Sequence, residues 1–166
     1  MPTYTQIGSA VTVGSGGAAS IDFSSIPSTY TDLVLKVSVR NSGTPDQVIM
    51  KVNGSSTSLS NRLLYGSGSA AASTSLTTGY IGTSVDNTKT ASTFNNMEIY
   101  IPNYAGSSNK SASADSVMEN NATTAFAVLN AWLWSNTAAI TSISLTPDSG
   151  NFVQYSTAYL YGVSNA

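Results

Sequence analysis

The chain has 166 residues, only 8% of them charged, a net charge of −2, and neither histidine nor cysteine. Its six basic residues, Lys36, Arg40, Lys51, Arg62, Lys89 and Lys110, are scattered singly, so no cationic stripe exists to displace counterions from a phosphate backbone, and nucleic-acid binding is not expected. Without His or Cys the chain lacks the commonest general base, thiol nucleophiles, disulfides and thiolate metal sites, so neither an enzyme nor a cofactor is expected.

Ser, Thr, Asn and Gly must then carry solubility, which is the composition of a β protein with many turns. In chain order, weak alternation over residues 3–13 and 19–23 predicts two strands, and residues 1–17 suit an extended N-terminal arm or an edge strand. Residues 32–41 alternate cleanly, with Leu33, Leu35, Val37 and Val39 on one face and Lys36, Ser38 and Arg40 on the other. Residues 47–53 follow the turn-rich break Ser42-Gly43-Thr44-Pro45-Asp46, so the two strands read as a hairpin. Residues 62–65 suit either a short strand or a helical turn. The Ser-, Gly- and Ala-rich stretches 66–78 and 105–114 read as surface loops, with weak strands at 76–81 and 113–119.

Residues 94–102 place Met97, Ile99 and Ile101 on one face of a strand that Pro102 closes. Residues 125–134 are apolar on both faces, which predicts a central strand covered on each side. Residues 140–146 and 152–163 are further strands, joined through Pro147-Asp148-Ser149-Gly150. About nine strands in one domain predict an all-β fold over residues 1–166, a single antiparallel two-sheet β-sandwich.

No segment carries recognisable catalytic chemistry. The eight carboxylates are isolated in sequence and mostly beside turns, where Asp bonds its own backbone. Gly14-Ser15-Gly16-Gly17 lacks the Gly-Lys-Ser/Thr ending of a phosphate loop and reads as a turn. Glycosylation sequons at Asn53, Asn109 and Asn121 arise readily in a chain so rich in Asn, Ser and Thr, and are discounted without an export leader. Two aromatic groups are candidate sites. Trp132 and Trp134 could meet a sugar ring, although a doubly apolar strand also suits core packing. Tyr155, Tyr159 and Tyr161 share one face of the final strand by alternation and are candidates for a subunit interface or for the core.

Three segments carry a resemblance: residues 11–40 (VTVGSGGAASIDFSSIPSTYTDLVLKVSVR), the NGSS of 53–56 leading to Arg62-Leu63-Leu64-Tyr65-Gly66, and residues 138–163 (AAITSISLTPDSGNFVQYSTAYLYGV). Together they resemble a module of virion structural proteins of tailed phages, notably marine and cyanobacterial ones, often labelled tail-fibre-like. Residues 67–120 carry none of it. The resemblance implies a jelly-roll-like sandwich used for assembly or attachment and supplies no catalytic residue. With no room for a fibre shaft, the expected function is a capsid decoration or cement protein on the outer shell. Its partners would be the major capsid protein and copies of itself, as a trimer. The alternative is a receptor-binding, baseplate or tail-fibre module recognising host-surface glycans through 66–78 and 105–114. The first residues, MPTYTQIGSA, resemble no signal peptide, and no apolar run could span a bilayer, so the expected site is the virion surface, reached by synthesis in the host cytoplasm and lysis.

Overall fold

Alternating apolar side chains build two antiparallel sheets in the computed structural model, which describes residues 1–121 and 124–164 and contains no helix among them. The larger sheet runs, in spatial order, β1 (Thr3–Gln6), β13 (Thr157–Ser164), β4 (Asp32–Ser38), β9 (Asn96–Ile101), β10 (Lys110–Met118), β11 (Phe126–Trp134), β6 (Leu59–Gly66) and β7 (Ala71–Leu76). The short β2 (Val11–Thr12) also pairs with β13. The smaller sheet runs β3 (Ile21–Phe23), β12 (Ile143–Pro147), β5 (Gln47–Val52) and β8 (Tyr80–Thr83). From β3 onwards the chain crosses repeatedly from one sheet to the other, so the two sheets form a single β-sandwich.

The core lies between the layers. Leu33, Leu35 and Val37 of β4 and Met97, Ile99 and Ile101 of β9 face Val48, Met50 and Val52 of β5 and Ile143 and Leu145 of β12, all buried. Each such side chain contributes about 1.5–3 kcal/mol by leaving water.

Several sequence expectations change. Residues 32–41 and 47–53 do not form a hairpin: β4 pairs with β13 and β9, and β5 with β12 and β8. The intervening turn is a corner between layers, held by buried Asn41, whose Nδ2 donates to the carbonyls of Gly43 (3.0 Å) and Pro45 (3.1 Å). Residues 66–78 are not one loop: residues 71–76 are β7, which forms a hairpin with β6, and residues 110–114 belong to β10. Residues 62–65 are strand. The first residues run along β13 as its edge, β1 pairing from Thr3 opposite Ser164 to Gln6 opposite Tyr161. Of the third sequon, residues 122–123 lie outside the described residues.

The smaller sheet ends at β8, and the larger sheet clasps that edge with side chains instead of a strand. Asn61 Nδ2 donates to the Tyr80 carbonyl (2.7 Å), and Asn130 Nδ2 to those of Tyr80 (2.9 Å) and Ile81 (3.1 Å). Ser116 Oγ accepts from Thr83 N–H and donates to its carbonyl, both at 3.0 Å. Asn95 donates to the same carbonyl (2.5 Å) and accepts from Val39 N–H (2.6 Å). These buried polar residues satisfy backbone groups that an uncovered edge would leave unpaired inside the protein. The approach is close enough to require glycine at position 82, where a Cβ would fall 2.5 Å from Met97 Sδ.

Candidate functional site

One sheet of four strands covers one face of a sheet of nine, and among the described residues no further sheet lies on the opposite, outer face of the larger one. Register shows what that face presents. Ser73, Leu64, Leu129, Asp115, Glu98, Lys36 and Tyr159 form one row across seven strands. The next row holds Ser75, Arg62, Ala131, Ser113, Tyr100, Val34 and Tyr161. Leu64 and Leu129, directly opposite each other, are 56% and 59% exposed, and nearby Val117 is 45% exposed. Exposed Ala127 and Ala131 complete an apolar patch on β6, β11 and β10. Arg62 and Asp115 border it, and neither enters an ion pair among the described residues. Farther along, Lys36 and Glu98 neutralise each other. Tyr100 donates to Asp32 Oδ2 (2.9 Å), whose other oxygen accepts from Asn103 N–H (2.9 Å). Burial and the Asp32 carboxylate push the Tyr100 hydroxyl up.

The inner face holds a second feature where β6, β7 and β11 overhang the edge of the smaller sheet. A cavity of about 300 Å³ opens there, walled by Leu63, Tyr65, Leu76, Tyr80, Phe126 and Val128. Tyr65 and Phe126 meet edge to face, centroids 6.4 Å apart, a geometry that aromatic quadrupoles favour. Asp46, Gln47, Thr74 and Thr83 supply its polar lining. Asp46 lies 3.8 Å from Lys89, which also reaches Asp86 (3.4 Å). Burial raises the Asp46 carboxyl despite the pull of Lys89. Burial likewise raises the Tyr80 hydroxyl, and the Asp46 charge adds to it.

The sequence candidates divide. Trp132 and Trp134, 2% and 3% exposed, sit in the core, where no external sugar can stack on them. The strand that carries them is central in its pairing but covered on one side only, because Ala127, Leu129 and Ala131 face solvent. Tyr159 and Tyr161 are half-buried on the outer face, but Tyr155 does not share it. β13 begins only at Thr157, and Tyr155 lies in the turn before it with φ of +72°, so the alternation assumed through residue 155 is broken. Sequence reasoning missed the patch and the cavity. One signal was present: residues 127, 129 and 131 read Ala, Leu, Ala against Val128, Trp132 and Trp134, and the bulkier set is the one that fills a core. Among the described residues no group of three His, Cys, Asp or Glu side chains converges on a metal-sized site. Comparison of the chain with family models, with curated proteins and with solved structures found no match.

Proposed function

We propose that this protein is a virion structural protein of a tailed phage, a decoration protein that docks on the outer shell through the outer face of its larger sheet. The observation that carries the reading is the Leu64, Leu129 and Val117 patch on an uncovered sheet of low charge. Water leaves such a patch readily when a protein surface covers it, and protein interfaces concentrate apolar and aromatic side chains at a core that lacks charge. Arg62 and Asp115 at its border supply orientation, and Tyr159 and Tyr161 extend the same face with rings that can pack while their hydroxyls stay wet. The partners on this reading are the major capsid protein and further copies of the chain, grouped as trimers.

Quantitative mass spectrometry of purified particles tests it. Decoration requires on the order of hundreds of copies per particle, as repeated capsid symmetry dictates. A handful of copies, or particles that retain Leu129→Arg protein as fully as the native chain, would overturn the proposal.

A further inference from the structure

We infer that the cavity between the β6–β7 hairpin and β8 is a binding site for one neutral sugar ring. This site is separate from the docking face. Leu64 points outward and Leu63 and Tyr65 inward from the same strand, so both surfaces can be occupied at once.

The walls and the polar lining together select the ligand class. Tyr65, Phe126 and Tyr80 bring three rings to one cavity, with Leu63, Leu76 and Val128 between them. Tyr65 and Phe126 are half-buried and Tyr80 is buried behind them, and half-open rings on a concave surface suit the C–H face of a pyranose. Hydrogen-bonding groups stand beside them unused. Among the described residues the Tyr80 hydroxyl, the Gln47 amide and the Thr74 hydroxyl make no hydrogen bond, although Tyr80 is 6% exposed. The Tyr80 hydroxyl oxygen keeps contact with water at the cavity, and a ligand hydroxyl would replace that water as its partner.

Other ligand classes fit less well. No cation lines the cavity, and Lys89 is engaged by Asp46 and Asp86, so nothing there would hold a phosphate or a carboxylate. A cationic ligand would compete with Lys89 for Asp46. A purely apolar ligand would bury Asp46, Gln47 and Thr74 without partners. A ring with an apolar face and a rim of hydroxyls satisfies both parts of the lining, and about 300 Å³ lies at the small end of ligand pockets. The clasp on β8 keeps the cavity formed before a ligand arrives, because the Tyr80 carbonyl is fixed by both Asn61 and Asn130.

The test is titration of the ¹⁵N-labelled full chain with the methyl glycosides of glucose, galactose, mannose and N-acetylglucosamine, followed by amide NMR shifts. At least one should saturate in the millimolar range, with the largest shifts at Tyr65, Thr74, Tyr80 and Phe126. Tyr80→Phe removes only an unbonded hydroxyl, so it should keep the melting temperature while weakening binding about tenfold, the worth of one hydrogen bond. Gln47→Ala, at the half-buried first position of β5, should weaken binding in the same direction and serves where Tyr80→Phe perturbs folding. The inference is overturned if none of the four saturates, if the shifts map elsewhere, if both variants bind as the native chain does, or if glucuronic acid or glucose 6-phosphate binds more tightly than the neutral glycosides.

Discussion

Leu64 and Tyr65 are adjacent in the chain and belong to different surfaces. Leu64 stands on the outer face of the larger sheet among Leu129, Val117 and alanines, a shallow patch with single charges at its border. Tyr65 stands on the inner face, in a cavity with Phe126 and Tyr80 and a polar floor drawn from β5 and β8. The outer surface comes from neighbouring strands of one sheet and is broad, as a protein partner requires. The inner surface needs both layers and is concave, as a small ligand requires. The period of two along a strand lets one hairpin serve both.

The largest effect that can break this comparison is loss of the clasp on which the cavity depends. Asn95→Ala leaves the buried Val39 N–H without its partner and removes one of two donors to the Thr83 carbonyl, so it should lower unfolding free energy by about 2–3 kcal/mol in urea. Leu63→Ala should cost a similar amount, about 2–4 kcal/mol, by stripping contacts from the small cluster and enlarging the cavity that it walls. Leu129→Ser, one face away, should stay within about 0.5 kcal/mol of the native chain while lowering occupancy on particles. Equal losses for the Leu63 and Leu129 variants would mean that the outer face is not free.

The two carboxylates around Lys89 sharpen the picture through pH. Burial opposes ionisation of Asp86, but hydrogen bonds from Thr88 N–H (2.8 Å) and Thr88 Oγ1 (2.6 Å), with the Lys89 charge, outweigh it and hold the carboxyl below its usual range. Its stabilisation is present above the ordinary Asp value and is lost as pH falls through the lowered one. Asp46 has the opposite sign: its raised carboxyl takes up a proton more readily folded than unfolded, so acidification relieves a cost. Urea unfolding from neutral pH down through the carboxylate range should therefore show Asp86→Asn losing stability at neutral pH and flattening the acid limb. Asp46→Asn should gain stability at neutral pH, where the ionised carboxylate bears that cost, and steepen that limb. The smallest effect is expected at Lys36 and Glu98, whose exposed pair should contribute under about 1 kcal/mol, so Glu98→Gln should scarcely move the urea midpoint.

Much of the framework was legible in the chain. β4, β9 and β11 announce themselves because large aliphatic or aromatic residues recur at every second position. β7 and the start of β10 did not, for the same physical reason in reverse. In Ser111-Ala112-Ser113-Ala114 the inward residues are alanines, and a methyl group beside a hydroxymethyl gives almost no contrast in hydrophobicity. The break at residues 42–46 is equally consistent with a hairpin and with a crossing between layers, since five residues can do either. The cavity was invisible because its lining comes from residues 46–47, 63–65, 74–76, 80–83 and 126–128, and no local spacing encodes that meeting.

Composition and alternation alone establish an all-β chain of strands sorted into two faces, poor in charge and without His or Cys. Only the tertiary structure decided which face of each strand is covered. On β11 both faces are apolar, and a period of two distributes residues between them without ranking them. The ranking follows from the mismatch of layers: a four-stranded sheet cannot enclose a nine-stranded one, so Trp132 is buried, Leu129 is left in water, and a cavity opens where the overhang begins.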